Sequence, residues 1–130
     1  MVQGHCLCGQ VAFTITGPLR PATLCHCGQC RRQAGHAWVA TELADTALTF
    51  NTSETLSWYR ASSIARRGFC QACGSFLFWK HDQEDTISVS AGALTPPTGL
   101  SLGEHIFTAD KGDYYDINAI VPIRADMPDA

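Results

Sequence analysis

Cys25-His26-Cys27-Gly28-Gln29-Cys30-Arg31-Arg32 places three thiols within six residues, with two arginines directly behind them. On an extended backbone a Cys-x-Cys pair points both sulfurs to one face, because strand side chains repeat every two residues. The Cys-x-x-Cys that follows has the turn spacing of a zinc knuckle, with Gly28 expected at a tight turn that needs positive φ. Three sulfurs can converge on one tetrahedral ion and leave a corner free, which is the pattern of catalytic rather than structural zinc. Spacing leaves open whether that corner is free or filled by His26, His36 or His105.

The chain has 130 residues, seven of them cysteine, and a formal net charge of −3. That length suits one domain with a real core. An odd cysteine count, with no apolar leader after Met1-Val2-Gln3-Gly4, argues for metal ligation in a reducing compartment over a disulfide scaffold. A cytoplasmic location is therefore expected. The mild negative charge argues against a nucleic-acid surface, and no run approaches the roughly 18 apolar residues of a membrane helix.

Working outward, Gly4-His5-Cys6-Leu7-Cys8-Gly9 holds a second Cys-x-Cys, and Val11, Phe13 and Ile15 alternate with Ala12, Thr14 and Thr16 as a half-buried strand. His36–Thr41 is a further strand candidate. Leu48–Phe50 and Leu56–Arg60, separated by polar Asn51–Glu54, are expected to pair as a hairpin with a long loop. Ser62–Phe69, rich in small and basic residues, delivers the chain to a knuckle at Cys70-Gln71-Ala72-Cys73-Gly74. Ser75–Trp79 is apolar on both faces and is expected to be a central strand. Ile87 and Val89 mark another strand, and His105–Phe107 a short one. No long 3.6-residue apolar repeat occurs. The expectation is a mainly β domain over residues 1–124 with a frayed tail at 125–130.

Cys6, Cys8, Cys70 and Cys73 can supply the four sulfurs of a closed structural site. The alternative ribbon joins Cys27 and Cys30 to Cys70 and Cys73, which strands Cys25; ligand count favours the four-plus-three division. Arg31, Arg32, Arg66, Arg67 and Lys111 are candidates to offset thiolate charge or to grip an anionic ligand, Arg31 and Arg32 foremost because they adjoin Cys30. His5 and His36 can equally be ordinary hydrogen-bonded or exposed histidines.

The blocks Gly4–Gly9, Cys25–Arg32, Phe69–Gly74 and His105-Ile106-Phe107, with the later Tyr115-Asp116, resemble the glutathione-dependent formaldehyde-activating enzyme family, which includes the centromere protein V domain. The resemblance runs from residue 4 to about residue 117. It implies a complex Mss4-like β-sandwich or folded-sheet architecture stapled by two Zn2+ ions. Cys6, Cys8, Cys70 and Cys73 would hold the structural ion, and Cys25, Cys27 and Cys30 the catalytic one. It further implies a carbon–sulfur lyase acting on a thiol–aldehyde adduct such as S-hydroxymethylglutathione, with glutathione and a small aldehyde as partners. Tyr114 stands where relatives often carry tryptophan. A thiol activated at the second ion needs a proton partner, for which His26, His36, His105 and Tyr115 are the candidates. The competing class is a non-enzymatic zinc module in which both ions only hold the fold or present a surface.

Overall fold

The computed structural model describes residues 1–118 and 120–126. Two sheets make the molecule. The smaller has three strands, in the order β1 (Val2–His5), β2 (Val11–Ile15) and β5 (Leu48–Ser53). The larger has seven, in the order β10 (Leu102–Ile106), β3 (Ala22–Cys25), β4 (Trp38–Ala44), β9 (Thr86–Ser90), β8 (Phe76–His81), β7 (Ala65–Cys70) and β6 (Leu56–Arg60). All its neighbours are antiparallel except β10 and β3.

Alternation in β2 works as the sequence pattern requires. Val11, Phe13 and Ile15 are fully buried, while Ala12 and Thr14 on the other face are half-buried. The buried face meets Leu43, Leu77, Phe78, Ile87 and Val89 from the larger sheet. Phe13 lies edge-on to Phe78 at 5.2 Å between ring centroids. Each such side chain contributes about 1.5–3 kcal/mol by leaving water. The apolar β8 runs between β7 and β9, as its two-faced composition predicts.

Three expectations are corrected. The segments at 48–50 and 56–60 do not form a hairpin: β5 continues through Asn51–Ser53 alongside β2, and β6 crosses to pair with β7. The Asn51 side chain accepts a hydrogen bond from Thr14 at 3.1 Å, so polar residues read as loop are cross-strand partners on an exposed edge. Residues 65–69 are not a basic link but strand β7, whose Ala65, Arg67 and Gly68 are buried. Gly28 needs no positive φ; it opens a seven-residue helix, α1 (Gly28–Ala34), which closes at Gly35 with φ 82°. At the far end, the carbonyls of Ala125 and Asp126 accept from the N–H groups of Ala109 and Phe107. Residues 127–130 of the expected tail lie outside the described residues.

Gly4 on β1 lies under the ring of its cross-strand partner Phe13. A Cβ on Gly4 would meet the Phe13 ring at 2.6 Å and the Ala93 carbonyl at 3.0 Å, whereas one on Gly92 would meet nothing within 4 Å. Gly4→Ala therefore overpacks the inter-sheet core and should cost about 1–3 kcal/mol in urea unfolding. Gly92→Ala should stay within about 0.5 kcal/mol of the parent. Equal effects would show that the contact is not a constraint.

Candidate metal centre

Two hairpin turns, one from each sheet, bring four sulfurs together. Cys6 and Cys8 lie in the turn between β1 and β2, where Cys6 N–H donates to Val11 O and Gly9 takes φ 81°. Cys70 ends β7, and Gly74 with φ 80° closes the knuckle by donating to the Cys70 carbonyl at 2.8 Å. The sulfurs of Cys6, Cys8, Cys70 and Cys73 all lie within 4.8 Å of one another. The Cys6–Cys8 and Cys8–Cys70 separations are 3.6 and 3.7 Å. A tetrahedron with zinc–sulfur bonds of about 2.3 Å has edges of about 3.8 Å, so the donor set fits such an ion.

Neutral donors already surround these sulfurs. The N–H of Val11 donates to Cys6 Sγ at 3.3 Å and that of Cys73 to Cys70 Sγ at 3.5 Å. The hydroxyls of Thr55 and Ser75 lie 3.1 and 3.2 Å from Cys70 and Cys73. The Ser75 hydroxyl leads in holding the Cys73 thiol down to about 5, well below an ordinary cysteine.

The second cluster sits where β3 leaves the larger sheet. Cys25 pairs with Trp38 across β3 and β4, and His26 N–H donates to the Ile106 carbonyl. Cys27 is extended and caps α1, its sulfur accepting from Cys30 N–H at 3.3 Å. Cys30, on the inner face of α1, is buried, and the three sulfurs again lie within 4.8 Å of one another. Hydrogen bonds from Cys25 and Cys30 hold Cys27 down to about 2, with burial opposing and the Arg67 charge assisting. The bond with Cys27 pushes Cys25 up. These three sulfurs also suit one soft cation, with a single tetrahedral corner to be filled from elsewhere. The ribbon division is not formed: Cys27 and Cys30 lie in one cluster and Cys70 and Cys73 in the other.

Among the described residues, no histidine joins either sulfur cluster. His26, fully buried, has Nδ1 2.5 Å from the Tyr115 hydroxyl and Nε2 2.9 Å from Nδ1 of buried His105. His36 is exposed, with Nδ1 2.9 Å from the Tyr114 hydroxyl and its ring edge-on to Tyr115 at 4.5 Å. His5 Nδ1 lies 2.6 Å from the Cys6 carbonyl. Burial, then repulsion by His105, His36 and Lys111, lowers the His26 pKa. Burial, then Tyr114, raises that of Tyr115, which also senses the charges of Arg31 and Cys25.

The basic residues separate clearly. Arg32 is exposed, and Arg31 is half-buried with an unpartnered Nε. Arg66 lies over the Trp58 ring and 3.8 Å from Asp82, away from the cysteines. Lys111 donates to the carbonyls of Gly112 and Tyr115. Arg67 reaches the site: its NH1 group donates to Cys30 Sγ at 3.5 Å and to Gln33 Oε1 at 3.4 Å. Sequence order favoured the arginines beside Cys30, but helix geometry turns Arg32 outward while strand β7 brings Arg67 in.

Titration of the reduced, metal-free protein with Co2+ should therefore reach two equivalents, monitored by the thiolate-to-metal charge-transfer absorption of cobalt–thiolate bonds. Cys73→Ser should lower both stoichiometry and melting temperature. Cys27→Ser should remove one equivalent and leave most of the melting transition. A single equivalent in the parent would contradict two separate sites.

The profile of the family described as glutathione-dependent formaldehyde-activating enzyme matches residues 1–110. A Halomonas elongata protein that carries that description as its provisional name is 29% identical over 92% of this chain and 82% of its own length. An uncharacterised lyase of Schizosaccharomyces pombe is 24% identical over 88% of this chain and 83% of its own. A crystal structure of a Rhodobacter sphaeroides protein shares the fold with a TM-score of 0.62 at 19% identity, covering 93% of this chain and 98% of that one. With its cysteine blocks inside the matched span, the chain belongs to the glutathione-dependent formaldehyde-activating enzyme family.

Proposed function

We propose that the protein is a zinc-dependent carbon–sulfur lyase that splits a thiol–aldehyde adduct such as S-hydroxymethylglutathione into the thiol and the aldehyde, or runs the same step in reverse. The observation that carries this reading is the three-sulfur cluster of Cys25, Cys27 and Cys30, which no histidine completes, beside a Tyr115–His26–His105 chain. A zinc ion held by these cysteines would stabilise the substrate sulfur as a thiolate, which serves as leaving group in one direction and nucleophile in the other. The four-cysteine cluster would hold a second zinc with a structural role.

The chain's own groups handle the proton. As the adduct splits, the carbon–sulfur bond breaks with its electron pair going to sulfur, and the hydroxymethyl O–H loses its proton as C=O forms. His26 and His105 are too buried to reach a substrate, but the ring of Tyr115 is half-exposed. Tyr115 accepts that proton while passing its own to His26 Nδ1, and His26 Nε2–H passes one to His105 Nδ1. The two hops within the chain follow contacts of 2.5 and 2.9 Å. In the reverse direction the same protons return.

Two outcomes are expected. Zinc-loaded protein should bind glutathione at least roughly tenfold more tightly than its S-methyl analogue, whose sulfur cannot ionise, in calorimetric titration. Equal affinity, or none, would sink thiol activation and favour a purely structural module. Tyr115→Phe should lower kcat for release of formaldehyde by roughly a hundredfold or more with zinc content unchanged. Unchanged kcat would remove Tyr115 from the proton path.

A further inference from the structure

Arg67 is only 5% exposed, yet among the described residues no carboxylate lies within ion-pair distance of it. Its guanidinium lies over the Phe76 ring at 5.4 Å, donates to Gln33 and Cys30, and leaves Nε buried without a partner. A buried cation without a counter-charge costs several kcal/mol, so folds that keep one supply an anion. Among the described residues, its one contact able to carry negative charge is the sulfur of Cys30.

The charge arithmetic is specific to this cluster. A divalent cation with three thiolates carries −1, which one guanidinium neutralises. The four-cysteine cluster, at −2 when loaded, is met by backbone N–H groups and hydroxyls, and its Cys8 is exposed to water. One cluster is met by neutral donors and the other by a buried charge.

We propose that Arg67 is the built-in counter-charge of the three-cysteine site. It acts as a positioning residue whose guanidinium offsets the charge of the loaded three-sulfur site and draws electron density from the Cys30 sulfur, keeping the remaining corner receptive to an incoming thiol. This rests on the reading of Cys25, Cys27 and Cys30 as a metal site, but not on the lyase reaction.

The test is metal affinity by competitive chelator titration with Co2+, which separates the two sites. Arg67→Met and Arg67→Gln, two ways of removing the charge in case one does not fold, should weaken the three-cysteine site about ten- to a hundredfold. The cobalt–thiolate band of that site should shift, and the four-cysteine site should bind as before. Arg67→Lys should recover most of the affinity. In a Cys25→Ser/Cys27→Ser background, which cannot load that site, Arg67→Met should be neutral or stabilising in thermal melts, because the buried charge then has no partner. A merely structural arginine would instead destabilise both backgrounds alike with site affinity unchanged, and that result overturns the proposal. Failure of the parent's three cysteines to bind Co2+ at all would overturn the metal reading and this inference together; parent binding with variants equally tight would overturn only the inference.

Discussion

The four sulfurs of Cys6, Cys8, Cys70 and Cys73 join two hairpin turns that belong to different sheets. Much of the structure depends on that junction. The β1–β2 turn has no regular pairing to the larger sheet, and it is held there by the cysteine cluster, by Leu7 N–H donating to the Ser75 hydroxyl, and by the packing of β2. Four converging thiols are a poor arrangement by themselves, since each sulfur offers only a weak donor and a weak acceptor. With their protons replaced by one soft cation, the same geometry becomes a cross-link whose binding free energy is also folding free energy.

The two clusters solve the same charge problem in different ways. Around the first, peptide N–H groups and hydroxyls stabilise sulfur charge locally, and water reaches Cys8. Around the second, the surroundings are aromatic and basic: Tyr114, Tyr115, His26, His36 and His105 on one side and Arg67 with Phe76 on the other. Arg67, His26 and His105 are buried there, and burial strengthens charge interactions. The contrast is between neutral donors around one set of sulfurs and a buried cation beside the other.

The fold class was legible because a strong period-2 signal, as at Val11–Ile15, comes from burial on one face, and burial is written in residue type. The sulfur groupings were legible because a Cys-x-Cys or Cys-x-x-Cys pair can hardly act except as a unit. What could not be read was partner choice. Leu48–Ser53 and Leu56–Arg60 are adjacent in sequence and each is strand-like, but pairing is decided by which sheet buries which face. Helix α1 is too short for its period to register, and its cap is a cysteine sulfur in place of a hydroxyl or carboxylate. Arg67 was one of five basic candidates; its importance comes from a strand register that places it under Cys30, and no local pattern encodes that.

The parallel pairing of β10 with β3 has a consequence for the order in which the molecule is made. Cys25 sits beside Ile106, and the His26 ring is enclosed by His105 and Tyr115. Contacts spanning some eighty residues of chain carry a loop-closure cost and form late. The surroundings of the second cluster exist only once the chain through about residue 115 has been made. The β1–β2 turn and the β7–β8 knuckle emerge well before that. The four sulfurs of Cys6, Cys8, Cys70 and Cys73 can thus meet on a chain grown only a little past residue 73, while the His26–Tyr115 contact waits for some forty residues more.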